Sequence, residues 1–129
     1  MKIKAVAFLS LTLLMSSPLA VQARDLADDM SNLAANYSAV MKTDDLATLQ
    51  HALNGMHDAA MDARNGTPPK LKGQPADSAQ MKDYRQGITH LLGQIEQAQA
   101  LAQKGDIKQA KVVAGQFKQT ETENHAKLR

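Results

Sequence analysis

Apolar residues recur at alternating spacings of three and four along most of the chain, and this spacing constrains the fold more than any other feature. A spacing of three and four places side chains on one face of an α-helix. The apolar positions form four runs: Leu26, Met30, Leu33, Tyr37 and Val40; Leu46, Leu49, Leu53, Met56, Ala60 and Ala63; Met81, Tyr84, Ile88, Leu91, Ile95, Ala98 and Ala102; and Ile107, Ala110, Ala114 and Phe117. The pattern therefore predicts an all-α fold of four amphipathic helices.

Capping residues and loops separate the four runs. Thr43, Asp44 and Asp45 offer caps for the second helix, and Asp77 and Asp106 each precede a glutamine by three residues, as in a capping box. Gly105 fits the end of the third helix. Two of the three connections are very short, which makes neighbouring helices antiparallel, while residues 66–77 form a longer proline-containing loop. We predict an antiparallel up-down-up-down four-helix bundle, with helices over residues 25–42, 45–65, 78–104 and 106–128.

The first 23 residues have the order of a secretory signal peptide. A basic start precedes an apolar run over residues 5–15, and the small residues Val21 and Ala23 suit cleavage after Ala23. The alternative is an uncleaved anchor, but this apolar run is short for a membrane span. We expect residues 24–129 to form one exported domain, with no membrane insertion after cleavage.

Composition excludes several classes of function. The chain has no cysteine, which rules out disulfides, thiolate metal sites and CxxCH cofactor attachment. Without the signal peptide, 13 basic and 13 acidic side chains remain, and no basic patch predicts a nucleic-acid partner. His51, His57 and His90 lack the spacing of metal ligands, so we interpret them as surface residues. No arrangement of catalytic residues indicates an enzyme, and we expect a monomer.

Met30 and His125 are predicted to lie at the same end of the bundle. With a rise of about 1.5 Å per residue, both would lie roughly 6–8 Å from that end, on the neighbouring first and fourth helices. Thioether and imidazole are both good ligands of iron. Two ordinary interpretations stay open, because a methionine on an apolar stripe is usually core packing, and a histidine near a helix end often complements the helix dipole.

The interior beside these two residues is predicted to be underfilled. The second helix contributes Ala59, Ala60 and Ala63 at this level, and the fourth turns polar after Phe117. A void in a core loses packing contacts. A planar ligand would explain the small residues.

Several segments resemble the cytochrome b562 family, which consists of small periplasmic four-helix haem proteins, and the likeness covers essentially all of residues 24–129. The sequences TPPKL and MKDYR are the most specific of them. The segments are DLADDM at 25–30, AAMDA at 59–63, TPPKL at 67–71, MKDYR at 81–85, GQI at 93–95 and HAKLR at 125–129.

The resemblance implies one non-covalent haem b per chain, with Met30 and His125 as its axial ligands. A haem with both axial positions filled has no open site for a substrate, so the implied function is one-electron transfer without catalysis, between redox partners that the sequence does not identify. Further residues match positions that line the family's haem, or in one case a basic residue near a propionate: Met56, Pro68, Pro69, Tyr84 and Ile88, and then Arg129.

The chain departs from the family pattern at three positions. Ile88 replaces a second aromatic residue, Glu121 replaces an arginine, and Asn124 replaces a tyrosine. A rival hypothesis is a haem-free helical bundle that binds a metal ion or an unfolded client through methionine and histidine. Four methionines gather at the predicted site end, which would suit Cu(I): Met30, Met56, Met61 and Met81.

Overall fold

The computed structural model describes residues 25–127, so the predicted signal peptide and Arg129 lie outside the described residues. The described part contains α-helices, one short 3-10 helix and no strand, and its helices pack as the predicted all-α four-helix bundle. None of its helices is both long enough and apolar enough to span a membrane. The elements are α1 (Leu26–Lys42), α2 (Leu46–Arg64), the 3-10 helix (Pro69–Leu71), α3 (Ala79–Gln103), α4 (Ile107–Ala114) and α5 (Phe117–Lys127).

Side-chain caps determine where three of these helices begin. The Asp45 carboxylate accepts the backbone N–H of Thr48 at 2.9 Å, and the Asp106 carboxylate accepts that of Gln109 at 3.1 Å. The Asp106 cap was predicted from the sequence, and Asp45 is one of the three residues predicted to cap the second helix. The predicted cap of α3 was wrong by one residue, because Ser78 and not Asp77 directly precedes the helix, and its hydroxyl accepts the N–H of Met81 at 3.1 Å.

The fourth helix of the bundle is divided, which corrects the prediction of one continuous helix over residues 106–128. Gly115 and Gln116 form a turn between α4 and α5. The backbone N–H of Gln116 donates to the carbonyl of Val113, only three residues back, at 2.9 Å. This tighter hydrogen bond ends α4, and α5 restarts at Phe117, whose side chain is buried in the core.

The core fills one end of the bundle more completely than the other. Helix α2 packs against α1 and α3, α3 also contacts α4 and α5, and α1 contacts α4. Helix α1 makes no contact of similar extent with α5. Because α4 stays close to α1 and α5 does not, a space opens between α1 and α5 at the end that holds the loop after α2.

Candidate functional site

A cavity of about 440 Å³ occupies this space between α1, the 3-10 helix, α3 and α5, and we call it the main cavity. Its volume lies within the range that small-molecule and cofactor sites occupy in proteins. Most of the lining is apolar, and Lys70 and Glu121 bring opposite formal charges to it. The lining residues are Leu26, Met30, Leu33, Pro68, Pro69, Lys70, Tyr84, Ile88, Leu91, Glu121, Asn124 and His125.

Helical spacing explains why each wall presents these residues. Two walls use positions four and then three residues apart, which share one helix face: Leu26, Met30 and Leu33 on α1, and Tyr84, Ile88 and Leu91 on α3. On the α5 wall, Asn124 and His125 lie three and four residues after Glu121. The cavity is therefore a product of three helix faces that meet without filling the space between them.

Met30 and His125 line this cavity from two different helices. Met30 is half-buried on α1, and His125 is exposed on α5. The structure thus brings the two predicted residues to the lining of one cavity. Thioether sulfur and imidazole nitrogen are the only soft or borderline metal donors among the lining side chains.

Four of the other sequence-predicted site residues also line the cavity, namely Pro68, Pro69, Tyr84 and Ile88. Met56 does not. It is buried and lines an adjoining cavity of about 190 Å³, into which Leu33 and Leu91 also project. The structure therefore places Met56 behind the wall of the main cavity.

The alanines of α2 do not border the open space, contrary to the prediction. Ala59, Ala60 and Ala63 are fully buried, and no residue of α2, a helix described along its whole length, lines the main cavity. Small side chains let neighbouring helices approach, so these alanines close the packing around α2. The open space comes instead from the separation of α1 and α5.

Tyr84 joins the cavity wall to α2. Its hydroxyl donates a hydrogen bond of 2.6 Å to the carbonyl oxygen of Ala63. Burial, and to a smaller extent the negative charge of the fully buried Asp29, raise the pKa of Tyr84 to about 12. Tyr84 is therefore a neutral hydrogen-bond donor at physiological pH, and it holds α3 at a fixed distance from α2.

None of the remaining histidines lines the cavity, and two of the three lie on the surface as predicted. His51 and His90 are exposed, and the half-buried His57 lies with Nε2 3.0 Å from Oε2 of Glu96. Within residues 25–127, no three histidine, cysteine, aspartate or glutamate side chains form a cluster that could hold a bare metal ion.

The methionines of the rival hypothesis do not share the main cavity. Met30 lines it, whereas Met56 lies in the adjoining cavity, Met61 is exposed and Met81 is buried elsewhere. A large apolar cavity with one sulfur donor and one nitrogen donor on different walls fits an iron macrocycle better than a methionine-ligated copper ion.

Sequence reasoning missed several lining residues. Leu26, Leu33 and Leu91 could have been found, since each lies three or four residues from a predicted site residue on the same helix face. Lys70 had no such signal, because its position depends on how the loop after α2 folds back as the 3-10 helix.

Comparison with known proteins agrees with the geometry. The chain matches the cytochrome b562 family over residues 25–129. Two similar proteins are "Probable soluble cytochrome b562 2" of Yersinia pestis, 42% identical over 90% of this chain and 91% of that protein, and "Probable soluble cytochrome b562 1" of Yersinia pestis, 36% identical over 83% of this chain and 84% of that protein. The chain belongs to the cytochrome b562 family.

Proposed function

We propose that the protein binds one haem b non-covalently in the main cavity, with Met30 and His125 as the axial ligands, and carries one electron. The observation that supports this most strongly is that α1 and α5 bring a thioether and an imidazole to one apolar cavity. Family membership supports the identity of the cofactor.

A bound haem would supply a one-electron Fe(III)/Fe(II) couple, and ligation by methionine and histidine favours a raised potential. The surrounding residues contribute burial and orientation. Leu33, Ile88 and Leu91 give the cavity an apolar wall that would keep water from a bound haem, and Pro68 and Pro69 border the cavity from the loop side. Because both axial positions would be filled by protein side chains, electron transfer would be outer-sphere.

The signal-like order of residues 1–23 supports a periplasmic location for this function. The redox donor and acceptor would then be other periplasmic or membrane-associated proteins, and the carrier would act as a monomer.

Substitution of each proposed ligand tests the assignment. His125→Ala should abolish the low-spin haem spectrum and strongly weaken haem binding, and Met30→Ala should leave haem bound through one ligand, partly high-spin. His90→Ala and Met61→Ala are matched controls, since both side chains are exposed and lie outside the main cavity. Wild-type spectra in both His125→Ala and Met30→Ala would refute the ligand assignment.

A further inference from the structure

Gly87 of α3 lies directly against the side chain of Asn124 on α5. A Cβ atom at Gly87 would lie 2.4 Å from Oδ1, 2.6 Å from Cγ and 2.9 Å from Nδ2 of Asn124. All three distances are shorter than van der Waals contact allows. The amide of Asn124 therefore occupies the space in which any other residue at position 87 would begin its side chain. We call this contact the Gly87 notch.

The notch holds the Asn124 amide by shape. Its Nδ2 atom is buried and has no hydrogen-bond partner within the described residues. Asn124 lines the main cavity and also a second cavity of about 530 Å³, which Gly87 and His90 help to form. An asparagine side chain is short, so its amide can leave the notch only by rotation about χ1 or by movement of α5 itself.

Few other contacts determine where α5 lies. Among its side chains described up to Ala126, only Phe117 and Thr120 are buried. The Thr120 hydroxyl donates to Oε1 of Gln94 on α3 at 2.8 Å. Apolar packing is non-directional, and α5 has little of it beyond its first turn. The Thr120–Gln94 hydrogen bond and the Gly87 notch are therefore two specific contacts that can fix the rotation and height of this helix, in addition to the ring contact between Phe117 and Tyr37 of α1, whose centroids lie 6.5 Å apart.

We propose that the Gly87 notch is the positioning device that directs His125 into the cavity. His125 follows Asn124 immediately, so its side chain projects about 100° further around the helix. With Asn124 lodged against α3, that rotation turns His125 toward the space between α5 and α1. Gly87 and Asn124 are positioning residues in this scheme, and the inference rests on the proposed function for what His125 binds.

A set of three variants tests the notch. Gly87→Ala places a methyl group on the Asn124 amide. Gly93→Ala is the matched control, since it lies on the same helix and its Cβ would meet no atom within 4 Å. The double variant Gly87→Ala/Asn124→Ala removes the atoms with which the new methyl group collides. Haem affinity, the low-spin fraction and the thermal midpoint of the haem-free protein are measured for each.

Gly87→Ala should weaken haem binding by about 10- to 100-fold relative to Gly93→Ala, as loss of a ligand-orienting contact does, and should lower the low-spin fraction. It should also lower the thermal midpoint of the haem-free protein. The double variant should recover most of the haem-free stability, because the collision is removed, but it should not recover the haem affinity or the low-spin fraction, because no amide remains to position α5. The notch is refuted if Gly87→Ala matches Gly93→Ala, if the double variant does not recover the haem-free stability, or if it regains the wild-type haem affinity and low-spin fraction.

Failure of the proposed function gives a different result from failure of the notch. If the wild-type protein formed no low-spin haem complex, the proposed function would be wrong, and so would the proposal that the Gly87 notch orients His125 as a haem ligand. The thermal midpoint of the haem-free variants would still show whether Asn124 and an alanine at position 87 collide.

Discussion

Replacing Tyr84 by phenylalanine removes one hydroxyl from the wall of the cavity, at the contact between α3 and α2. That hydroxyl donates to the Ala63 carbonyl at 2.6 Å, and the same carbonyl also accepts the N–H of Gly66 at 3.0 Å. Because one donor remains, the carbonyl is not left unsatisfied. We expect Tyr84→Phe to lower the free energy of unfolding at pH 8 by about 0.5–1.5 kcal/mol, the net value of one intramolecular hydrogen bond.

The difference in the free energy of unfolding between the wild type and Tyr84→Phe should become smaller as the pH rises. Burial, together with the charge of Asp29, raises the pKa of folded Tyr84 to about 12 from its usual value of 10.0. The folded state thus holds this proton more tightly than the unfolded state does. The contribution of Tyr84 to the free energy of unfolding is fully present below pH 10 and is lost as the pH rises towards 12. At pH 11 the free energy of unfolding should be lower by about 1.4 kcal/mol. Phenylalanine has no proton to lose.

Urea unfolding followed by far-UV circular dichroism at pH 8, 10 and 11 measures this difference. The advantage of the wild type over Tyr84→Phe should shrink to about zero, or reverse, by pH 11, since about 1.4 kcal/mol is then lost. Tyr37→Phe is the control, because it keeps Tyr84 and should keep the alkaline loss. A wild-type advantage that stays constant from pH 8 to pH 11 would refute the reasoning.

Two further predictions concern α5. Glu121 lines the cavity one helical turn before His125, so its negative charge should favour oxidised iron. Glu121→Arg should raise the midpoint potential by about 20–50 mV, since unit charges about 8 Å apart at an effective dielectric of about 40 interact by about 1 kcal/mol and solvent screens part of this. Added salt should shrink the shift in potentiometric titrations, and no shift or a downward shift at low salt would contradict the prediction. Haem-free protein should melt below the haem complex, because a ligand of the folded state stabilises it by roughly 4 kcal/mol at a thousandfold excess over Kd. Hydrogen exchange should show α5 losing protection first beyond Phe117, and equal protection with and without haem would argue against a cavity that haem fills.

Much of the fold could be predicted from local signals in the sequence. The apolar spacing located the helices, and the carboxylates of Asp45 and Asp106 cap the helices that follow them. The division at Gly115 had no comparable signal. Ala114 and Phe117 continue the apolar spacing across it, and the backbone of Gly115 remains in the right-handed helical region at φ −59° and ψ −20°. Only the altered hydrogen bonding reveals the turn.

The candidate site was predictable where it depends on position along a helix, and it was not predictable where it depends on how helices approach one another. The shared height of Met30 and His125 follows from counting residues along two adjacent helices. Ala63 is packed in the core and Met56 lines the adjoining cavity, and both results depend on how far α1 and α5 lie apart. Gly87 illustrates the same limit, because only the folded structure shows that a side chain at this position would collide with Asn124.

The most direct test of the central claim is an absorption spectrum of the purified wild-type protein, recorded before and after reduction with dithionite. A haem titration of the haem-free protein fixes the stoichiometry. The account predicts a red protein with sharp reduced bands in the visible range, low-spin in both oxidation states, which saturates at one haem per chain. A colourless protein that takes up no added haem, or a haem complex that stays high-spin in both oxidation states, would contradict it.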